Sequence, residues 1–213
     1  MTRVKFDREL RKLQDDLISM ASLLDKNREY FTAILTERNP ALAEQTAHID
    51  DEIQKYKNRL ESQCLMLFIS QQPVAGDMRR ISATLKLITH LKRMSGQITA
   101  AVRIVASLLD DDVIDHIPHL AALSEASGAI VRHCVTALIH GNLVEAAQMS
   151  QYDDRIDSLF REVRKDMAAY LRAGNGHEEA VLDLLLAAKY MEKVGDHAVS
   201  AARWIIFSIT GTR

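Results

Sequence analysis

LKRMSGQITAAVR, residues 91–103, and MEKVGDHAVSAAR, residues 191–203, read as two versions of one helix. At an offset of 100 residues Leu91 falls on Met191, Ala101 on Ala201 and Arg103 on Arg203. The apolar positions of each copy recur in steps of three and four, the spacing that lines one face of an α-helix. Upstream, Asp50-Asp51 laid on Asp153-Asp154 also brings Ile53 onto Ile156, Leu60 onto Val163 and Phe68 onto Leu171. This second offset is three residues longer, as a shorter turn around AGNG than around SQQPVAGD requires. Duplication of a helical unit is the simplest source of both matches.

Each unit resolves into three helices. Phe6, Leu10, Leu13, Leu17, Met20, Leu24 and Phe31 predict a long amphipathic helix that ends before Asn39-Pro40. Ile49, Ile53, Tyr56, Leu60, Cys64 and Leu67 predict a second, which stops at Gln72-Pro73 because the residue before a proline avoids the helical region. A third carries Met78, Ile81, Leu85, Ile88, Leu91, Met94, Ile98, Val102 and Val105, with Asp77 as its expected N-cap. The acidic stretch DDDVIDHIP reads as a linker. Beyond it, Leu120, Leu123, Ile130, Cys134 and Leu138 mark a fourth helix closed by Gly141. Ile156, Leu159, Phe160, Val163, Met167 and Tyr170 mark a fifth, and Val181, Leu184, Ala188, Met191, Ala198, Ala202 and Ile205 a sixth. The expected fold is all-α, two tandem three-helix bundles related by an internal pseudo-two-fold repeat, over residues 1–112 and 113–213.

Composition narrows the function. In 213 residues, three prolines and eight glycines leave little punctuation for a sheet. Of the charged residues, 17 basic and 16 acidic precede the break after Asp112, and 10 and 13 follow it. Neither half has the basic excess that binding a phosphate backbone needs, so no direct nucleic-acid contact is expected. Cys64 and Cys134 fall on apolar stripes without metal-ligand or disulfide-framework spacing, and read as buried thiols. With no apolar leader segment and no run of roughly 20 apolar residues, the expected location is cytoplasmic. Met20, Met66, Met94, Met167 and Met191 lie on or beside the apolar stripes and are expected in the core.

The candidate chemistry lies in the second unit. Asp153 and Asp157 on the fifth helix, and Glu192 and Asp196 on the sixth, are each spaced four apart and so stack on one helical face. Two such pairs meeting across a bundle offer the oxygen ligands that iron, manganese, magnesium or calcium prefer. Gly195 would let the neighbouring helix approach. The competing reading is a solvated acidic face, with Asp157 paired to Arg161 and Glu192 flanked by Lys189 and Lys193. In the first unit the corresponding positions hold Gln54, Lys92 and Gly96, so any divalent-ion or iron cluster is expected on the second repeat alone. His197, next to Asp196, points about 100° away on a helix. Glu44 and His48 read as surface residues, and His116 and His119 as linker residues.

QQPVAGDMRRISATLK with LKRMSG, and MEKVGD with YDDRID from Tyr152, together resemble the repeated helical signature of the PhoU family. The resemblance covers nearly the whole chain, with the first repeat lacking both acidic residues of its LKRMSG segment. It implies paired three-helix bundles, in some members loaded with multinuclear metal clusters on Asp153, Asp157, Glu192 and Asp196. It further implies a negative regulator of phosphate uptake and phosphate-starvation signalling that acts as an adaptor. The implied partners are the ATPase subunit of the phosphate ABC transporter and a sensor histidine kinase, with membrane association only through them. A homodimer is also expected.

An all-helical bundle admits two other functions. A carboxylate-bridged di-iron enzyme needs two Glu-x-x-His motifs on separate helices, and the sequence has none. Nor is there a glycine-rich phosphate loop, so no catalytic residue is assigned. A metal-binding or metal-free helical interaction module without a phosphate role is the alternative.

Overall fold

A computed structural model describes residues 3–71 and 73–212. Among them are seven α-helices, one 3-10 turn and no strand. The first repeat consists of α1 (Arg3–Glu37), α2 (Ala41–Gln71) and α3 (Ala75–Ser107). The second consists of α4 (His119–His140), a short α5 (Leu143–Ala147), α6 (Met149–Arg172) and α7 (Glu178–Thr210). The expected stop of the second helix at Gln72 lies outside the described residues, and α2 is seen to Gln71.

Packing follows the apolar stripes. Phe6, Leu10, Leu13, Leu17, Met20, Leu24 and Phe31 are all buried along α1. The most extensive contact in the molecule joins α3 to α7, the two third helices, and α1 packs on α4, the two first helices. The repeats therefore meet through equivalent elements and share one continuous hydrophobic cluster. The middle helices α2 and α6 pack mainly within their own repeats, at the edges. Small residues bring the halves close: a Cβ added at Gly128 on α4 would lie 2.5 Å from Thr32 Cγ2 on α1.

Two expectations, the Asp77 cap and a buried Met66, are corrected, and two connections gain structure that the sequence did not show. Asp77 is not the N-cap of α3; Val74, in extended conformation, holds that place, and its carbonyl accepts from the N–H groups of Asp77 and Met78 at 2.9 Å. Asp77 lies in the first turn, buried, where its charge suits the helix dipole. The linker is no loose tether: Asp112–His116 forms a 3-10 turn capped by Asp111, and Val113, Ile114 and Ile117 are buried in the common core. The loop after Gly141 contains α5, started by Asn142, whose side chain accepts from the N–H groups of Val144 and Glu145. Met66 is 63% exposed, because it falls beside the buried stripe of Leu60, Cys64 and Leu67 rather than on it. The glycine cap of α4 forms as read, with Gly141 at φ +60. Cys64 and Cys134 are free and buried, and burial pushes both thiols up to about 12.

Candidate functional site

Across α6 and α7 the carboxylates of Asp157, Glu192 and Asp196 lie near enough to Asp153 to act on its charge, although no three of these four residues offer oxygens within 4.8 Å of one another. A Cβ on Gly195 would overlap Asp153 Oδ1 and lie 3.2 Å from Ile156 Cδ1, so the missing side chain is what admits Asp153 against the backbone of α7. Asp153 Oδ1 is buried there without a hydrogen-bond partner. Burial, and after it the negative charges of Asp157, Asp196, Glu192 and Asp154, push the Asp153 carboxyl up to about 6. Carboxylates of both helices thus act on Asp153.

Two lysines brace the α7 side. Lys189 Nζ donates to Glu192 Oε1 at 2.7 Å, and Lys193 Nζ donates to Asp196 Oδ2 at 2.5 Å. The flanking-lysine reading is therefore correct for Glu192, yet Glu192 Oε2 stays buried without a hydrogen bond, 3.7 Å from Lys193 Nζ. Arg161, the other candidate partner of Asp157, lies in a groove on the outer face of α6 with Arg164, Lys165 and Arg172. Buried carboxylate oxygens without donors carry a desolvation penalty, which either a proton or a cation removes. The donor set is all oxygen, the chemistry of a hard or borderline cation.

The first repeat solves the same geometry differently. Lys92 Nζ donates to Asp50 Oδ1 at 2.8 Å and Oδ2 at 2.9 Å, and Ser95 Oγ donates to Oδ1 at 2.7 Å. Asp50, Lys92 and Ser95 occupy the positions of Asp153, Glu192 and Gly195. Behind them, buried Asn27 donates to Ser95 Oγ at 3.1 Å and Thr99 Oγ1 at 3.5 Å, and Thr99 donates to the Thr46 carbonyl at 3.3 Å. The positive charge of Lys92 was legible in the sequence. The hydroxyl and amide chain behind it was not, since nothing in the linear spacing joins Asn27 to Ser95.

The other histidine positions fall elsewhere. His197 turns to α3, its ring 5.9 Å from that of His90, and burial together with Arg93 lowers its pKa. Glu44 and His48 are both exposed. His119 Nδ1 lies 2.7 Å from Asp166 Oδ2, which also accepts from the His119 N–H and so caps α4. Sequence reasoning missed one grouping: Asp111, Asp112 and His177 are the one set of three potential ligands within 4.8 Å of one another among the described residues. His177, in left-handed conformation at φ +61, sits 3.1 Å from Asp111 and ties the α6–α7 turn to the inter-repeat linker.

The described helices include none long and apolar enough to cross a membrane. The sequence pattern of the PhoU domain matches the chain twice, over residues 17–105 and 120–205. A phosphate-specific transport system accessory protein PhoU homolog of Clostridium acetobutylicum is 24% identical over 212 residues, covering 99% of this chain and 97% of its own. A protein of Methanothermobacter thermautotrophicus named PhoU homolog 1 of the same system is 28% identical over 210 residues, covering 98% and 95%. The crystal structure of PhoU from Pseudomonas aeruginosa superposes with a TM-score of 0.88 over 97% of this chain and 100% of that one, at 23% identity, which establishes a common fold.

Proposed function

The chain belongs to the PhoU family, and on that premise we propose that it is a non-enzymatic regulator of phosphate uptake and phosphate-starvation signalling. The observation that carries this reading is the double match of one domain along nearly the whole chain, together with relatives named for the phosphate-specific transport system. Regulation of phosphate transport is the part those names support directly. The finer reading is a cytoplasmic helical adaptor, with its repeats divided near residue 112, that docks on the transporter's ATPase subunit and on a sensor histidine kinase. A homodimer is part of the same proposal.

In this reading Asp153, Asp157, Glu192 and Asp196 hold a divalent cation or an iron cluster. The ion supplies positive charge between α6 and α7. The fit rests on the two buried carboxylate oxygens without hydrogen bonds, Asp153 Oδ1 and Glu192 Oε2, and on the raised pKa of Asp153. The protein's own contribution is to place Asp153 against Gly195 and to keep the first repeat out of the exchange, since Lys92 already neutralises Asp50.

The decisive experiment is a tagged capture from cells grown with abundant and then scarce phosphate, with the partners identified by mass spectrometry. Enrichment of the phosphate transporter's ATPase and a sensor kinase, changing with phosphate supply, is the expected result. Absence of both in either condition removes the adaptor reading and leaves a helical interaction module.

A further inference from the structure

Arg161, Arg164, Lys165 and Arg172 line one groove of about 370 Å³ on the outer face of α6, with Ala168 between them and no acidic side chain in the lining. Their positions, i, i+3, i+4 and i+11, keep them on one side of the helix along roughly 16 Å. All five residues are exposed. The concentration stands out because the second half of the chain has 13 acidic against 10 basic residues.

Ordinary causes of a basic helix face account for part of it only. Cations favour a helix C-terminus, but that effect fades within the last turn, which here contains Arg172 alone. Lys165 donates to Glu162 Oε1 at 2.8 Å, one exposed i,i+3 pair. Arg164 leans toward the Phe160 ring at 6.0 Å, a weak contact. Arg161 and Arg172 have no ion-pair partner among the described residues. Because α6 is an edge helix, no other described helix covers this face.

We propose that the outer face of α6 is a docking surface for an acidic protein segment, a helix carrying carboxylates at three- and four-residue spacing along one side. Charge complementarity selects this occupant: guanidinium groups accept planar carboxylates in paired hydrogen bonds, and repeated spacing matches repeated spacing. A lipid surface fits less well, because a helix that lies in a membrane interface buries large apolar residues, and this groove offers Ala168. The proposal does not depend on the carboxylate site or on the phosphate role.

The test is fluorescence anisotropy of the full chain with a labelled helical alanine peptide carrying glutamates at i, i+4, i+7 and i+11, and with its glutamine counterpart. Phosphatidylglycerol vesicles are a third probe. The expected result is binding of the glutamate peptide alone, weakening as salt is raised, and weakened about tenfold or more in Arg161→Ala/Arg164→Ala/Arg172→Ala. Circular dichroism confirms that this exposed triple variant folds. The proposal is overturned if the glutamate peptide fails to bind at ~1 mM, if the triple variant binds it equally well, or if the vesicles bind and the peptide does not.

Discussion

The Lys92 ammonium grips both oxygens of Asp50 at 2.8 and 2.9 Å, on the two positions where the second repeat sets Glu192 beside Asp153. One repeat is thus closed by a cation built into its own chain. The other pairs Glu192 and Asp196 with Lys189 and Lys193, yet leaves Asp153 Oδ1 and Glu192 Oε2 buried without a hydrogen bond. On the third helix of each repeat the difference lies in three side chains, lysine for glutamate, serine for glycine and glycine for aspartate.

Removing the internal cation should therefore be costly in the first repeat. Lys92→Met strands Asp50 and is expected to lower stability by about 1–3 kcal/mol, less than for a fully buried pair because both side chains are about a fifth exposed. Adding Asp50→Asn should restore much of the loss. Urea melts of the two single variants and the double variant measure it; independent, additive losses would show that the pair does not couple.

In the second repeat, added cations should raise the melting temperature of metal-free protein by binding the folded state. Manganese, iron, magnesium and calcium are each compared, and Asp153→Asn and Glu192→Gln should abolish the rise. A shift that survives both substitutions would place the ion elsewhere.

The raised Asp153 carboxyl sets a pH dependence. A carboxyl that titrates near 6 when folded and near 4 when unfolded favours folding below the lower value. That contribution is lost as pH rises through about 6. Metal-free protein should accordingly weaken over that window, and Asp153→Asn should flatten the slope. Thermal melts between pH 4 and 8, compared for the two proteins, decide the point; equal slopes would assign the titration to another group.

Gly195→Ala separates helix stability from ion response. Alanine gains about 1 kcal/mol of helix propensity over glycine, but its Cβ displaces Asp153 Oδ1 and crowds Ile156. Net stability should change by less than about 1 kcal/mol while the cation-induced melting shift disappears. Retention of that shift would mean that Asp153 binds from another rotamer.

At the repeat interface, Gly128→Ala should cost about 1–3 kcal/mol, since its Cβ meets Thr32 Cγ2 at 2.5 Å. Thr32→Ser removes that methyl and should recover stability in the double variant. Chemical denaturation of the double-mutant cycle provides the check.

The helices, their amphipathic faces and the duplication were legible in the order of residues, because three- and four-residue periodicity is a local property that core burial enforces. That order also marked Asp153, Asp157, Glu192 and Asp196, and the glycine that admits one to the other's helix, since an i,i+4 pair is visible in any helix. Tertiary structure alone decided which oxygens lose their donors, because desolvation depends on what packs around a group. It linked Asn27 to Ser95 across 68 residues. It also drew Val113, Ile114 and Ile117 of an acidic linker into the core: three apolar side chains in a polar stretch carry no periodic signal, and only the gap between two bundles gives them a place to be buried.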